Sequence, residues 1–385
     1  MERPYEGREQ TAAKHFVLKR YLQALAFKIL LGNPTQEISY VDAFSGPWEA
    51  RDTDFADTSF MIAIGVLQEI HFQIRENRPS LKTKCLFIEK KKSSYDRLSA
   101  AVQKFHQPDL GFHVQTHHGS FEQSCNVILP TIRNTFALIF IDPTGWTGYS
   151  YEIIRPVLRH SPSEVLVNFM YDHINRAVAM SDPKTTASFD SILGGPGWKD
   201  RLDPDLAVGD AVESLFRAEL KEAGAFKYVV STRIRKTFAD RPHFSIAYGT
   251  RSHHGLRAFR DVEHAAQKDH AEKRLEAQAK KKTEQTGQSL LFDATLIGSN
   301  QFKDEHDKHV TQARHFVLDY LKKSKRPVPF GVLWPEVIRE FPLRDTHVKS
   351  ICTDLASAGK IVASWRLPPS KRRVPNDRDP IQLTI

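Results

Sequence analysis

Tyr40-Val41-Asp42-Ala43-Phe44-Ser45-Gly46-Pro47-Trp48 carries an apolar run to an acid and then into a turn of small residues. At the end of a β-type run, such a turn lets backbone amides approach an anionic or zwitterionic ligand. Leu86-Phe87-Ile88-Glu89 is a second run closed by an acid, and one carboxylate can accept both hydroxyls of a ribose. The third is Ile139-Phe140-Ile141-Asp142-Pro143-Thr144-Gly145-Trp146. Acids at strand ends also cap the helix that follows, so each has a structural reading beside the functional one. The ordered series of three is more specific than any member.

Other groupings are weaker. Glu89-Lys90-Lys91 fits the Glu-x-Lys element of a metal-dependent nuclease, with Asp42 or Asp57 as the partner acid, but leaves the glycine turn unexplained. The pairs His117-His118 and His253-His254 offer no ligand set, because adjacent side chains point apart and no further ligand recurs at suitable spacing. Asn168 closes the run Val165 to Phe169, where it could hold a substrate amine or carbonyl. Arg176, beyond Asp172 and His173, flanks the same loop or simply pairs with Asp172 four residues earlier.

The elements that must position these residues are legible from periodicity. Leu18, Leu22, Leu25 and Ile29 form the stripe of an amphipathic helix over residues 11–31, stopped by Gly32-Asn33-Pro34. Short β-type runs follow at Ile38 to Phe44, Cys85 to Glu89, Phe112 to Thr116, Ala137 to Asp142 and Val165 to Phe169, alternating with helical or loop stretches. This alternation predicts a parallel α/β sheet with crossover helices. Lys227 to Arg235 and His243 to Thr250, after a helix near 210–223, are placed to close it as an antiparallel hairpin.

The motif series resembles the class I S-adenosylmethionine-dependent methyltransferases. More closely, the chain is similar to the three-Cys-motif partner (TcmP) proteins, a bacterial group with a methyltransferase-like fold. The likeness runs through Arg20-Tyr21-Leu22, Asp42 to Pro47, Asp142-Pro143, Val167-Asn168-Phe169-Met170-Tyr171 with Ile174-Asn175-Arg176, and Ala247-Tyr248-Gly249-Thr250 with Gly255. It spans most of residues 11–260. It implies a Rossmann-like class I methyltransferase sheet with helices on both faces, and S-adenosylmethionine as cofactor. Asp42, Phe44, Gly46, Glu89 and Ser120 would then bind the cofactor, and Asp142, Pro143 and Asn168 would act on the acceptor.

Trp48 stands where methyltransferases usually carry a second glycine, and Ser120 where an Asp often meets the adenine amino group. Asp142-Pro143 resembles the Asp-Pro-Pro-aromatic loop of amino-directed DNA methyltransferases, in which the acid and a proline carbonyl accept hydrogen bonds from the target amine. Thr144-Gly145 displaces Trp146 from the stacking position, and the alternative is a tight turn whose Trp packs in the core. No Pro-Cys dipeptide supplies the thiolate that cytosine C5 chemistry needs. The family takes its name from a neighbouring protein with the cysteine motif, so a genomically neighbouring partner is implied.

Composition sets the outer bounds. The 385 residues carry a net charge of +9, which favours polyanionic partners, nucleic acid first. Residues 301–385 hold sixteen Lys and Arg against ten Asp and Glu, so most of the excess is C-terminal. Cys85, Cys125 and Cys352 form neither a disulfide framework nor a thiolate metal site. With no long apolar run and a polar start from Met1 to Lys14, the expected location is the cytoplasm.

The expected domains are 1–262 for the methyltransferase-like part, 263–299 for a charged helical tether, and 300–385 for a winged helix of three helices and a β-hairpin. In the last, Thr346, His347 and Lys349 fall on the recognition helix and Lys371, Arg372 and Arg373 on the wing, where basic residues would meet phosphates. Asp345 and Asp354 dilute the charge of that helix, and docking on a protein is the competing expectation.

Overall fold

The chain was analysed as a computed structural model, which describes residues 5, 8–32, 37–46, 50, 52, 54–178, 182–239, 241–286, 294–367 and 371–384. It divides into two units, residues 1–252 and 253–385.

The first unit begins with α1 (Glu9–Gly32), whose apolar stripe buries Val17, Leu18, Tyr21, Leu22, Leu25 and Ala26. Alternating elements follow: β1 (Glu37–Asp42), α2 (Ser59–Arg75), β2 (Lys82–Glu89), α3 (Lys92–Val102), β3 (Phe112–His118), α4 (Cys125–Ile132), β4 (Phe136–Ile141), α5 (Tyr151–Leu158) and β5 (Ser163–Phe169). Then come α6 (Tyr171–Val178), two short helices α7 (Pro183–Ser188) and α8 (Asp190–Leu193), α9 (Val208–Gly224), and the strands β6 (Tyr228–Arg235) and β7 (Pro242–Thr250). All seven expected strands are present, within a few residues of their predicted limits.

The seven strands make one sheet in the order β3-β2-β1-β4-β5-β7-β6. The first five pair in parallel, while β7 runs antiparallel to both β5 and β6. The central strands β1 and β4 are almost wholly buried, as expected where helices cover both faces. Val41, Ile139, Ile141, Val165, Val167 and Phe169 meet Ile154, Phe216 and Leu220 in one core cluster. Each such side chain contributes about 1.5–3 kcal/mol by leaving water. The direction of strand crossover reverses between β1 and β4, and in an open α/β sheet ligands bind outside the carboxyl ends of the strands at that reversal.

A buried polar network ties α1 to the sheet. The Tyr21 hydroxyl donates to Glu164 Oε2 at 2.5 Å and lies 2.6 Å from the Tyr248 hydroxyl, while Thr250 Oγ1 donates to Glu164 Oε1 at 2.9 Å. Burial raises the Glu164 carboxyl above its ordinary range, and these hydrogen bonds pull it back.

The second unit contains α10 (His253–Thr286), α11 (Ala294–Ser324), β8 (Val328–Pro329), α12 (Phe330–Glu340), α13 (Asp345–Ser357) and β9 (Pro380–Ile381). The boundary expected near Ser299 falls inside α11, where Ser299 Oγ donates to Glu272 on α10 at 2.5 Å. A stretch read as a tether is thus, over its described residues, part of a packed helical pair. Its want of large apolar residues misleads because the packing uses small ones: Ala266 is buried, and a Cβ on Gly298 would come within 2.8 Å of the Ala271 carbonyl oxygen. In the region of the expected β-hairpin, Ile361 bridges to Leu383 and Ser364 to Arg366 form a 3-10 turn. β8, which pairs with β9, is too short to register in hydrophobic periodicity.

Among the described residues no helix is long and apolar enough to cross a membrane.

Candidate functional site

Four neighbouring parallel strands, β2, β1, β4 and β5, place Glu89, Asp42, Asp142 and Asn168 within one residue of their carboxyl ends, side by side. Each side chain emerges where an apolar strand gives way to a loop, so the core fixes its base while its polar end meets the sheet edge.

Asp42 is fully buried. Its Oδ1 accepts from the Phe44 amide at 3.2 Å and its Oδ2 from Ser59 Oγ at 2.8 Å. Burial pushes its carboxyl up to about 6, against the opposing pull of those two donors. The Ser45 hydroxyl donates to the Asp42 carbonyl at 2.8 Å, and the Ser45 amide to the Ile88 carbonyl at 2.8 Å, which moors the turn across β2. Asp42 therefore shapes the turn from inside. Gly46 is half-buried just beyond it, and Phe44 packs edge-on against Phe121 with ring centroids 6.1 Å apart. Pro47 and Trp48 lie outside the described residues.

Glu89 is almost fully buried and splits its two oxygens. Oε1 accepts from the Lys91 amide at 2.5 Å, whereas Oε2 has no hydrogen-bond partner. Burial raises this carboxyl, partly offset by the Lys91 amide. A buried acceptor left open costs on the order of 1–3 kcal/mol, so a ligand that donates to it recovers that energy. Ser120 Oγ donates to Gln123 Oε1 at 3.0 Å and accepts from the Gln123 amide at 3.3 Å, which makes it a start signal for the turn at 122–124.

Asp142 is engaged on both oxygens. Lys14 Nζ on α1 donates to Oδ2 at 2.6 Å and Asn168 Nδ2 donates to Oδ1 at 2.7 Å. The Asn168 amide is thereby oriented with its own Oδ1 buried and without a partner. Pro143 is buried behind Asp142. Trp146 stacks on Phe189, centroids 4.9 Å apart, and its Nε1 donates to Ser188 Oγ at 2.7 Å. Of the two readings of that loop, the tight turn with a packed Trp describes its geometry.

Lys14 was not singled out by the sequence reading. The signal was there, since Lys14 continues the stripe of Leu18, Leu22 and Leu25 by one step of four, so a cation stands where the helix faces inward. Asp172 pairs with Lys236 at 2.7 Å and Arg241 at 3.7 Å; its expected pairing with Arg176 lies outside the described residues, as do the side chains of His173 and Asn175. Asp57, the alternative nuclease acid, is held by Arg8 at 2.9 Å. Among the described residues Asp42, Asp57 and Glu89 do not converge as a three-ligand set. A cleft of about 730 Å³ beside α5, α8 and α9 is lined by none of the four strand-end residues.

In the second unit, Lys371 and Arg373 are exposed, while Arg372 pairs with Asp379. Lys349 pairs with Asp345 at 3.3 Å one helical turn away.

No family model matches the chain, and no curated protein does. Among solved structures the chain is similar to a Legionella pneumophila protein of the DUF519 family, at 13% identity and a TM-score of 0.34, over 63% of this chain and 85% of that one. It is also similar to the O-methyltransferase TomG from Streptomyces achromogenes, solved in complex with SAM, at 10% identity and a TM-score of 0.29, over 60% and 79% of the two chains. Neither likeness bears on what this chain binds. What the geometry itself establishes is a Rossmann-like edge with two open, buried acceptors, Glu89 Oε2 and Asn168 Oδ1, either side of the Asp42 turn.

Proposed function

We propose that the chain is an S-adenosylmethionine-dependent methyltransferase of the three-Cys-motif partner type that acts on a nitrogen of a nucleic-acid target. The observation that carries this reading is the unpartnered Glu89 Oε2, beside the Asp42–Gly46 turn at the switch point of the sheet. A ribose diol fits it, because hydroxyl donors satisfy an oxygen that the protein leaves open. The strand order, with antiparallel β7 inserted between β5 and β6, agrees with the class I methyltransferase sheet that the sequence resembles.

The cofactor, when bound, supplies an electrophilic methyl group on a sulfonium sulfur. The protein's part is positional. The Asp42 turn brings the Ser45–Gly46 backbone to the edge, and Glu89 holds the ribose. Asn168 presents an oxygen that accepts an N–H of the acceptor amine, with its amide held by Asp142 and Asp142 held by Lys14. In the second unit, the succession of α11, α12 and α13 with β8 paired to β9 and Ile361 bridged to Leu383 supports a winged helix. Its exposed Lys371 and Arg373 suit a phosphate backbone. A neighbouring protein with the cysteine motif remains the proposed partner.

The reading is tested by calorimetry with S-adenosylmethionine and its demethylated product. Wild type should bind both, and Glu89→Gln should weaken binding by about tenfold or more, the loss of a charge-assisted pair of hydrogen bonds. Wild type that binds neither would overturn it. One observation favours a second reading, a non-catalytic member of the fold that binds a partner: both Asp142 oxygens are already taken and Trp146 is packed on Phe189. Cofactor binding without any transfer of labelled methyl to duplex or single-stranded nucleic acid would select it.

A further inference from the structure

Far in sequence from the strand-end acids, three histidines meet within the second unit. His264 comes from α10, His306 from α11 and His347 from α13. One ring nitrogen of each lies within 4.8 Å of the others, and among the described residues no second group of three His, Cys, Asp or Glu side chains is so placed. The ring centroids of His306 and His347 are 4.3 Å apart, those of His264 and His347 5.1 Å, and those of His264 and His306 5.2 Å. All three side chains are half-buried, and Phe302 walls one side, with its ring 5.0 Å from His264 and stacked at 6.1 Å on His306.

We infer that His264, His306 and His347 form a binding site for a divalent transition metal, zinc above all, with a fourth position open to water or a ligand. The chemistry of the donors selects the metal class. Three imidazoles with no carboxylate suit zinc, copper or nickel and not calcium or magnesium. Ring nitrogens on a tetrahedral zinc sit about 3.4 Å apart, as bonds of about 2.0–2.1 Å require. Small rotations of rings carried on three different helices close the remaining gap.

The protonation state agrees with this. Burial pushes His264 down to about 4 and His347 down to about 3, with help from the Arg344 guanidinium, and lowers His306 as well. The rings are thus neutral and keep lone pairs to offer. Arg344 is the one obstacle. Its backbone amide donates to His347 Nδ1 at 3.2 Å and its guanidinium lies at 3.1 Å and 3.3 Å from Nε2. A neutral imidazole has one lone pair, so it cannot accept from both, and one of these contacts is mismatched. For Nε2 to hold a metal, His347 takes the Nδ1–H tautomer, which gives up the backbone contact at the start of α13, and the guanidinium moves aside. Arg344 therefore competes with the metal through both its backbone amide and its side chain.

The experiment uses the untagged full-length chain stripped with chelator. Calorimetry with Zn²⁺ should show one tight equivalent, and Co²⁺ should give the absorption bands of a four-coordinate site. His306→Ala should weaken Zn²⁺ binding by about a hundredfold, while exposed His315→Ala, on the same helix, should leave it unchanged. Arg344→Gln should tighten it by about tenfold, a gain that mere folding support would not produce. If His306→Ala fails to fold, electron paramagnetic resonance of Cu²⁺ on wild type counts the nitrogen ligands directly, with three expected. Absence of a stoichiometric site, a site indifferent to His306→Ala, or fewer than three nitrogens on copper would each overturn the inference.

Discussion

Asp42 couples the shape of the candidate turn to pH. Its carboxyl is raised in the folded chain, to about 6, so between the unfolded value near 4 and about 6 the native state holds a proton that the unfolded state has lost. Stability contributed by this group is complete below about 4, falls as pH rises, and is gone above about 6. A shift of this size corresponds to roughly 3 kcal/mol. Urea denaturation at a series of pH values should show wild type losing stability across that window more steeply than Asp42→Asn; equal slopes would mean that Asp42 does not carry the effect. For Asp142 the expectation is chemical. Asp142→Ala should abolish methyl incorporation and leave cofactor affinity within about twofold, since its partners are Asn168 and Lys14 and not the ribose side. At this scale the sequence disclosed the acids, because strand-end position marks them. It did not disclose Lys14, His264 or His306, and it placed His347 on a recognition helix and not in a cluster, since the three histidines lie about forty residues apart and only the fold makes them neighbours.

Among the elements, α1 depends on side chains remote from it in sequence. Tyr21→Phe removes one of the donors to Glu164 and leaves a buried carboxylate oxygen with one partner fewer. It should cost about 1–3 kcal/mol by thermal or urea denaturation. Tyr248→Phe should cost a comparable amount, because Tyr248 also hydrogen-bonds Glu164 beside Tyr21 and Thr250. The strands were legible because two-sided burial writes them as continuous runs such as Phe136 to Ile141. The helical character of 263–299 was legible too, but its packing was not, because α10 and α11 pack through Ala266 and Gly298, which hydrophobic periodicity does not count. The two-residue strands β8 and β9 are likewise below the length at which alternation can be seen.

For the whole molecule, the net charge of +9 makes nucleic-acid binding an electrostatic question first. If the wing meets a duplex, replacing Lys371 and Arg373 together should reduce the slope of log affinity against log salt by about two, whereas Arg372→Ala, which loses the ion pair with Asp379, should act mainly on stability. Filter binding of random duplex at two salt concentrations checks both. A slope unchanged by the double substitution would assign the second unit to a protein partner.

The strand order also sets a timetable. β1 lies between β2 and β4, and the second of these is completed about a hundred residues after β1 itself. At ribosomal speeds of about 5–20 residues per second, the chain waits several seconds with one edge of a central, buried strand unpaired. Such an edge is a template for pairing with other chains, and between Glu37 and Asp42 the run Ile38 to Val41 carries no charge to discourage it. Nascent chains halted before β4 should therefore engage chaperones or aggregate, and those halted after β5 should do so much less.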